Sequence, residues 1–286
     1  MKEMTLKDVQ DVSLHIMKHF HNFCEENGLR YSLAFGTLIG AIRHEGFIPW
    51  DDDVDLYMPR ADYERLCDIY QDSEDFALFC PKRHNHNLPY ARLCEMRQTS
   101  VKSRPPQFTK PTGVWIEIFP MDVVHDDYHT YLKEVLPLWD DYRFLYFWRL
   151  KEARWRTPMG KLIRPLFKLF IKTRLAKINP NFVRMRKEKS LVEAVEHYDE
   201  KMKSLFDDSF NHVAELGQAS SQFSFVRNYH PKEMFEKYVL KKFESEHFYC
   251  IADYDENLRT IYGDYMQLPP EEERHTGHNA NIRVWK

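Results

Sequence analysis

Apolar residues recur at helical spacing at Leu6, Val9, Val12, Ile16, Phe20 and Phe23. The pattern predicts an amphipathic helix, with Thr5 and Asp8 resembling a capping box and Gly28 as its stop. The run Tyr31-Ser32-Leu33-Ala34-Phe35 reads as a strand that ends at Gly36-Thr37, with a short helix over Leu38 to Arg43. A second strand is expected at Asp53 to Tyr57, then a helix from Ala61 to Tyr70. A third strand runs from Val114 to Phe119 and stops at Pro120. Between residues 128 and 208 the strand signal disappears. That segment is rich in aromatics, Leu, Lys and Arg, and reads as a helical insertion. A strand at Phe223 to Val226, another at Phe248 to Ile251 and a helix at Asp255 to Tyr262 capped by Gly263 close the pattern. The sum is an α/β (α+β) architecture, read as one catalytic domain over residues 1–286 with the insertion inside it.

Composition narrows the class. Of 286 residues, 43% are hydrophobic and 30% charged, the ordinary globular range. The longest stretch without Asp, Glu, Lys or Arg, Tyr31 to Ile42, is far short of a membrane span. The N-terminus has no apolar core or cleavage pattern, so a signal peptide is not expected and the cytosol is. Five cysteines with no C-x-x-C spacing suit buried thiols rather than disulfides or structural zinc. His15 and His19 lie one turn apart without the Glu of a zinc-protease motif. A net charge of −3 argues against a bulk nucleic-acid binder. That average hides a polarised chain. Arg149 to Lys189 carries 14 Lys and Arg against only Glu152 and Glu188. Lys161, Arg164, Lys168 and Lys172 follow one helical face, and Leu, Ile and Phe fill much of the rest, with Pro165 predicting a kink or a late start. A basic, apolar helix of this kind suits an anionic membrane surface; a core helix with solvated cations is the plainer alternative.

The chemistry gathers in Trp50-Asp51-Asp52-Asp53-Val54-Asp55-Leu56. Residues two apart share a strand face, so Asp53 and Asp55 point one way while Val54 and Leu56 enter the core. Like charges on one face call for a cation, and Mg²⁺ or Mn²⁺ prefers oxygen ligands. Asp51 lies on the same alternation at the strand entrance. A solvated acidic turn is the alternative. An EF-hand is opposed by Leu56 and Asp62, where the loop needs Gly and Glu. Gly36-Thr37 allows backbone to approach a phosphate. Glu117, in the apolar run Trp115-Ile116-Glu117-Ile118-Phe119, needs a partner for its charge, and a metal shared with Asp53 and Asp55 is a natural one. Arg43 and His44 offer a phosphate or ribose clamp, or simply close a helix. Trp50, Tyr90 and Trp115 are the aromatics nearest these motifs, and so candidates for caging a quaternary ammonium.

Three stretches, Phe35 to Leu56, Gly113 to Asp122 and Tyr262 to Arg274, resemble the LicD family of phosphotransferases, which includes the fukutin-like proteins. The resemblance implies a nucleotidyltransferase-like mixed sheet with flanking helices, carrying a Gly-Thr turn and an Asp-x-Asp strand. The loop from His44 to Trp50 lengthens that interval, which leaves Asp51 and Asp53 both in contention as first ligand. The implied reaction moves a phospho-alcohol, phosphocholine above all, from a CDP-alcohol donor to a hydroxyl of a lipid-linked or polymeric cell-surface glycan: teichoic acid, lipopolysaccharide or capsule. The implied cofactor is Mg²⁺, and Asp53, Asp55 and Glu117 are the implied catalytic residues. Asp122, Asp264 and Arg274 join the substrate pocket on this resemblance alone. A peripheral position on the inner face of the plasma membrane would suit such an acceptor. Two alternatives remain: a nucleotidyltransferase placing an NMP on a small molecule, and a non-catalytic membrane-associated scaffold.

Overall fold

The structure is a computed structural model that describes residues 2–103, 110–155, 157–172, 190–205, 207–217, 227–276 and 281–286. Helix α1 (Leu6–Asn27) forms as its pattern predicts. The Thr5 hydroxyl accepts the Asp8 N–H, the Asp8 carboxylate accepts the Thr5 N–H, and Gly28 ends the helix at φ 58°. Its buried face (Val9, Val12, Ile16, Met17, Phe20) lies against a mixed sheet.

That sheet runs β1 (Ser32–Leu33), β2 (Asp55–Pro59), β6 (Trp115–Val124), β4 (Ala91–Glu95), β3 (Phe76–Phe79). Past the end of β4, β6 pairs with β7 (His212–Glu215), which pairs with β8 (Tyr229–Pro231). Among the described strands only the central β2–β6 pair is parallel, with Asp55 opposite Glu117. The expected α/β core with a mixed sheet is present. Two antiparallel pairs stand outside it: the hairpin of β9 (Tyr238–Phe243) with β10 (Glu246–Ile251), and the long-range pair of β5 (Thr99–Ser103) with β11 (Asn281–Trp285).

Three expected boundaries move. The second strand spans Asp55–Pro59, so Asp53 lies in the loop before it and not on the strand. The first strand shrinks to Ser32–Leu33, because Phe35 turns to φ 46° and opens α2 (Phe35–Ile39), which continues as a π turn over Gly40–His44. Gly36-Thr37 therefore lies within the helix and does not precede it. The third strand passes through Pro120 to Val124. Its N–H groups alternate sides, and that of Glu117 points to β2. The missing N–H of Pro120 thus faces the other side, where β4 has ended opposite Ile118 and β7 starts opposite Met121.

The described residues of the insertion are mainly helical, as expected. Helices α4 (Tyr128–Trp155) and α6 (Leu191–Ser204) share an apolar cluster that includes Tyr131, Leu138, Phe144, Trp148, Val195 and Tyr198. Helix α5 (Pro158–Lys172) begins after Thr157, whose hydroxyl accepts the Gly160 N–H, and runs through Pro165. Met159, Leu162, Leu166 and Leu169 on it are each more than 60% exposed. Among the described residues no helix is long and apolar enough to cross a membrane. The basic residues from Arg174 to Lys189 and the strand expected at Phe223 to Val226 lie outside the described residues. Helix α3 (Arg60–Ile69) and α7 (Tyr254–Tyr262) match their predicted spans closely, and Gly263 caps α7.

Candidate active site

The parallel β2–β6 pair sets the stage. At the start of β2, the Asp55 N–H donates to Thr37 Oγ1 at 2.9 Å and its carbonyl accepts the Ala34 N–H at 2.9 Å. Thr37 is thereby committed to holding the strand. Gly36 matters for a different reason: a Cβ there would stand 2.8 Å from Asp51 Oδ2. The Asp51 carboxylate occupies the space that the missing side chain leaves. The Gln10 amide, donating to the Asp51 carbonyl, ties this loop to α1.

Asp51, Asp52 and Asp53 each offer an oxygen within 4.8 Å of the others. Asp52 is turned inward, however, and its Oδ2 accepts from Arg283 at 2.5 Å. Asp51 and Asp53 remain as the outward pair, with Asp55 beside them. Burial, followed by the charges of Asp53, Glu117 and Asp51, pushes the Asp55 carboxyl well above the usual carboxylate range. Such mutual repulsion, in an all-oxygen set, fits a hard divalent cation.

Glu117 departs from expectation. Its Oε1 is held by the Arg92 guanidinium and by Trp115 Nε1 at 3.2 Å. The charge that seemed to need a metal already has a counter-ion within the sheet. The aromatic cage is reassigned for the same reason. Arg92 lies 4.4 Å from the Trp115 ring and 5.6 Å from that of Tyr90, and Arg274 lies 5.7 Å from that of Trp50. All three aromatics proposed for a quaternary ammonium face a guanidinium.

The substrate-facing residues divide. Arg43, His44, Trp50 and Arg274 converge, although 231 positions separate the first from the last. The His44 and Trp50 rings are 6.5 Å apart. Arg43 donates to the Tyr265 carbonyl at 2.5 Å, and Arg274 Nε to that of Pro269 at 2.8 Å. Burial and the nearby Arg274 charge lower the Arg43 pKa; burial and Arg43 lower that of His44. This is a cationic patch close to the acidic one.

Asp122 does not belong to it. Along β6 it faces the opposite side of the sheet from Glu117 and is wholly buried. There it forms a two-pronged pair with Arg60, which also reaches Asp199 on α6 at 3.1 Å. Its role is to fasten the insertion to the core. Asp264 is exposed, near Arg259, and its carbonyl caps the Gln267 N–H. The same motif contributes Tyr262 instead. The residue as a whole is 46% exposed, yet burial around its phenol, followed by the charges of Asp55, Asp51 and Asp53, raises its pKa. Only its place beside Gly263 in the matching stretch pointed to it in the sequence.

Comparisons with known proteins place the chain among its relatives. Residues 28–148 match the family described as LicD/FKTN/FKRP, nucleotidyltransferase domain. The chain is 32% identical to the lipopolysaccharide cholinephosphotransferase LicD of Haemophilus influenzae, over 97% of both chains. An uncharacterized protein of Rickettsia prowazekii is 31% identical over 88 residues, 30% of this chain and 33% of its own length.

Proposed function

This chain belongs to the LicD family, and on that premise we propose that it is a metal-dependent phosphotransferase. It moves phosphocholine, or a related phospho-alcohol, from a CDP-alcohol to a hydroxyl of a cell-surface glycan precursor and releases CMP. Lipopolysaccharide is the favoured acceptor, given the Haemophilus relative's name; teichoic acid or capsule would need the same chemistry. The observation that carries the reading is the packing of Asp51 against Gly36, with Asp53 and Asp55 alongside and the Arg43–Arg274 patch adjacent.

Asp51, Asp53 and Asp55 would hold Mg²⁺ or Mn²⁺, with the free oxygen of Glu117 in reserve. Such an ion offsets charge on the donor pyrophosphate. Arg43 and Arg274 bind phosphate oxygens, with His44 and Trp50 bordering the donor. Asp55 takes the proton of the acceptor hydroxyl, because Glu117 is tied to Arg92. The acceptor oxygen attacks the phosphorus that bears the alcohol. The bond from that phosphorus to the bridging oxygen breaks, and CMP keeps the electron pair. The exposed Leu162, Leu166 and Leu169 face of α5, with Lys161 and Arg164 on the same helix, supports peripheral attachment to an anionic membrane, where a lipid-linked acceptor would lie.

The test is release of CMP from a panel of CDP-alcohols with a glycan acceptor, with and without Mg²⁺. Asp53→Asn and Asp55→Asn should each abolish turnover at an unchanged melting temperature. Wild-type rates in both variants reject the metal assignment, and pyrophosphate as product points to nucleotidyl transfer instead.

A further inference from the structure

One backbone conformation at the site is out of keeping with its residue. Among the described residues, Phe35, Glu45, His84 and Glu244 have a positive φ without being glycine. Glu45 and His84 end helical turns, and Glu244 lies in the turn between β9 and β10, where that conformation is ordinary. Phe35 instead opens α2, at φ 46°. A bulky side chain disfavours such a backbone, which persists only where the surrounding structure insists on it.

The neighbours of Phe35 fix it against the acids on both sides. Before it, the Ala34 N–H donates to the Asp55 carbonyl at 2.9 Å. After it, Gly36 abuts the Asp51 carboxylate and Thr37 Oγ1 accepts the Asp55 N–H. The Phe35 ring lies 4.9 Å from the Tyr57 ring and 5.7 Å from the Phe119 ring. Tyr57 and Phe119 are register partners, as are Asp55 and Glu117 two residues earlier on the same strands. Residues two apart share a strand face, so the aromatic pair is the next rung after the acidic pair, about 7 Å along. Tyr57 and Phe119 are sealed in the core, whereas Phe35 is partly exposed. Trp50, Tyr90 and Trp115 are each taken by a guanidinium, but among the described residues no Lys or Arg lies over Phe35. An aromatic surface with no cation of its own, one rung from a set of carboxylates, is complementary to a positively charged ligand group.

We propose that Phe35 is a specificity-determining residue whose ring receives the quaternary ammonium of the substrate, with the phosphate toward the acidic loop. That this ammonium belongs to CDP-choline rests on the phosphotransferase reading; recognition of a cationic phospho-alcohol by Phe35 does not. The positive φ then has a use, since it sets a large ring at the rim of the core beside the acids.

The experiment uses the full chain with Mg²⁺. Its probes are phosphocholine and the uncharged analogue in which carbon replaces the ammonium nitrogen, each also as its CDP ester. Wild type should bind phosphocholine at least fivefold more tightly than the analogue, read from melting-temperature shifts, and prefer CDP-choline in kcat/KM by a similar factor. Phe35→Leu keeps the bulk and the backbone strain but has no π face. It should erase the preference by raising Kd and KM for the charged ligands, with less than a twofold change for the uncharged ones. Phe35→Tyr should retain the preference. If Phe35→Leu fails to fold, Phe35→Met carries the same comparison. A preference that survives in Phe35→Leu overturns the proposal, as does a loss shared equally by both probes or a wild type that does not distinguish them. Should wild type release no CMP from CDP-choline, the phosphotransferase reading fails while the phosphocholine pair still decides Phe35.

Discussion

Replacing Gly36 with alanine introduces a methyl group 2.8 Å from Asp51 Oδ2, about 0.6 Å inside the 3.4 Å at which ordinary contact begins. The backbone is poorly placed to retreat. The Leu38 N–H is bonded to Ala34, the Gly36 carbonyl accepts the Gly40 N–H, and Thr37 holds Asp55. The Asp51 carboxylate, at the end of a side chain, is the group that moves. Stability should change by no more than about 1 kcal/mol, because alanine favours the helix by roughly that amount and offsets the crowding. Catalysis should suffer more. A misplacement approaching 1 Å in an active site costs up to roughly 100-fold, or about 3 kcal/mol of barrier. The assay is CMP release against Mg²⁺ concentration for Gly36→Ala, Asp51→Ala and the double variant. If the methyl acts through Asp51, adding Gly36→Ala to Asp51→Ala should change turnover by less than about threefold, since coupled sites are not additive. Wild-type turnover and metal affinity in Gly36→Ala, or an equal loss in both backgrounds, would refute the reasoning.

Three further outcomes follow from buried charge and exposed surface. Arg92→Met strands the Glu117 carboxylate and should cost about 3–5 kcal/mol of unfolding free energy by denaturant titration; replacing Glu117 with Gln as well should restore most of it. His230, buried beside the Asn257 amide, is pushed by burial down to about 4. Below pH 6.5 the unfolded chain takes a proton that the folded one refuses. Stability present at neutral pH should therefore drain away between pH 6.5 and 4, by on the order of 3 kcal/mol; His230→Gln should flatten that window, and an identical slope contradicts the assignment. Leu162→Glu with Leu166→Glu should abolish flotation with anionic vesicles at low salt, whereas undiminished flotation removes α5 from the membrane reading.

Local signals in the sequence proved sound where one segment carried its own instructions. Thr5, Asp8 and Gly28 bound α1, and the alternation of Val54 and Leu56 with Asp53 and Asp55 separates core from acid. Strand β4 was missed because Arg92 and Glu95 make a buried strand look like surface. Their partners, Glu117 across the sheet and the Arg97, Gln98 and Thr99 N–H groups, come only with folding. Glu117 was correctly marked as needing a partner, but the pattern could not choose between a metal and an arginine two strands away in sequence order. The meeting of Arg43 with Arg274, and the burial of Asp122 under Arg60, are likewise tertiary facts. Spacing along the chain holds no trace of them.

The clamp between Arg283 and Asp52 has a temporal meaning. It joins residues 231 positions apart, and the contacts of Glu244 with Phe47 and of Arg43 with Tyr265 are nearly as long-range. At about 5–20 residues added per second during synthesis, the acidic loop waits tens of seconds for the arginine that orders it. The aspartates are made early, but their arrangement is a late event. A nascent chain therefore carries the acidic residues of the site long before it carries the means to aim them.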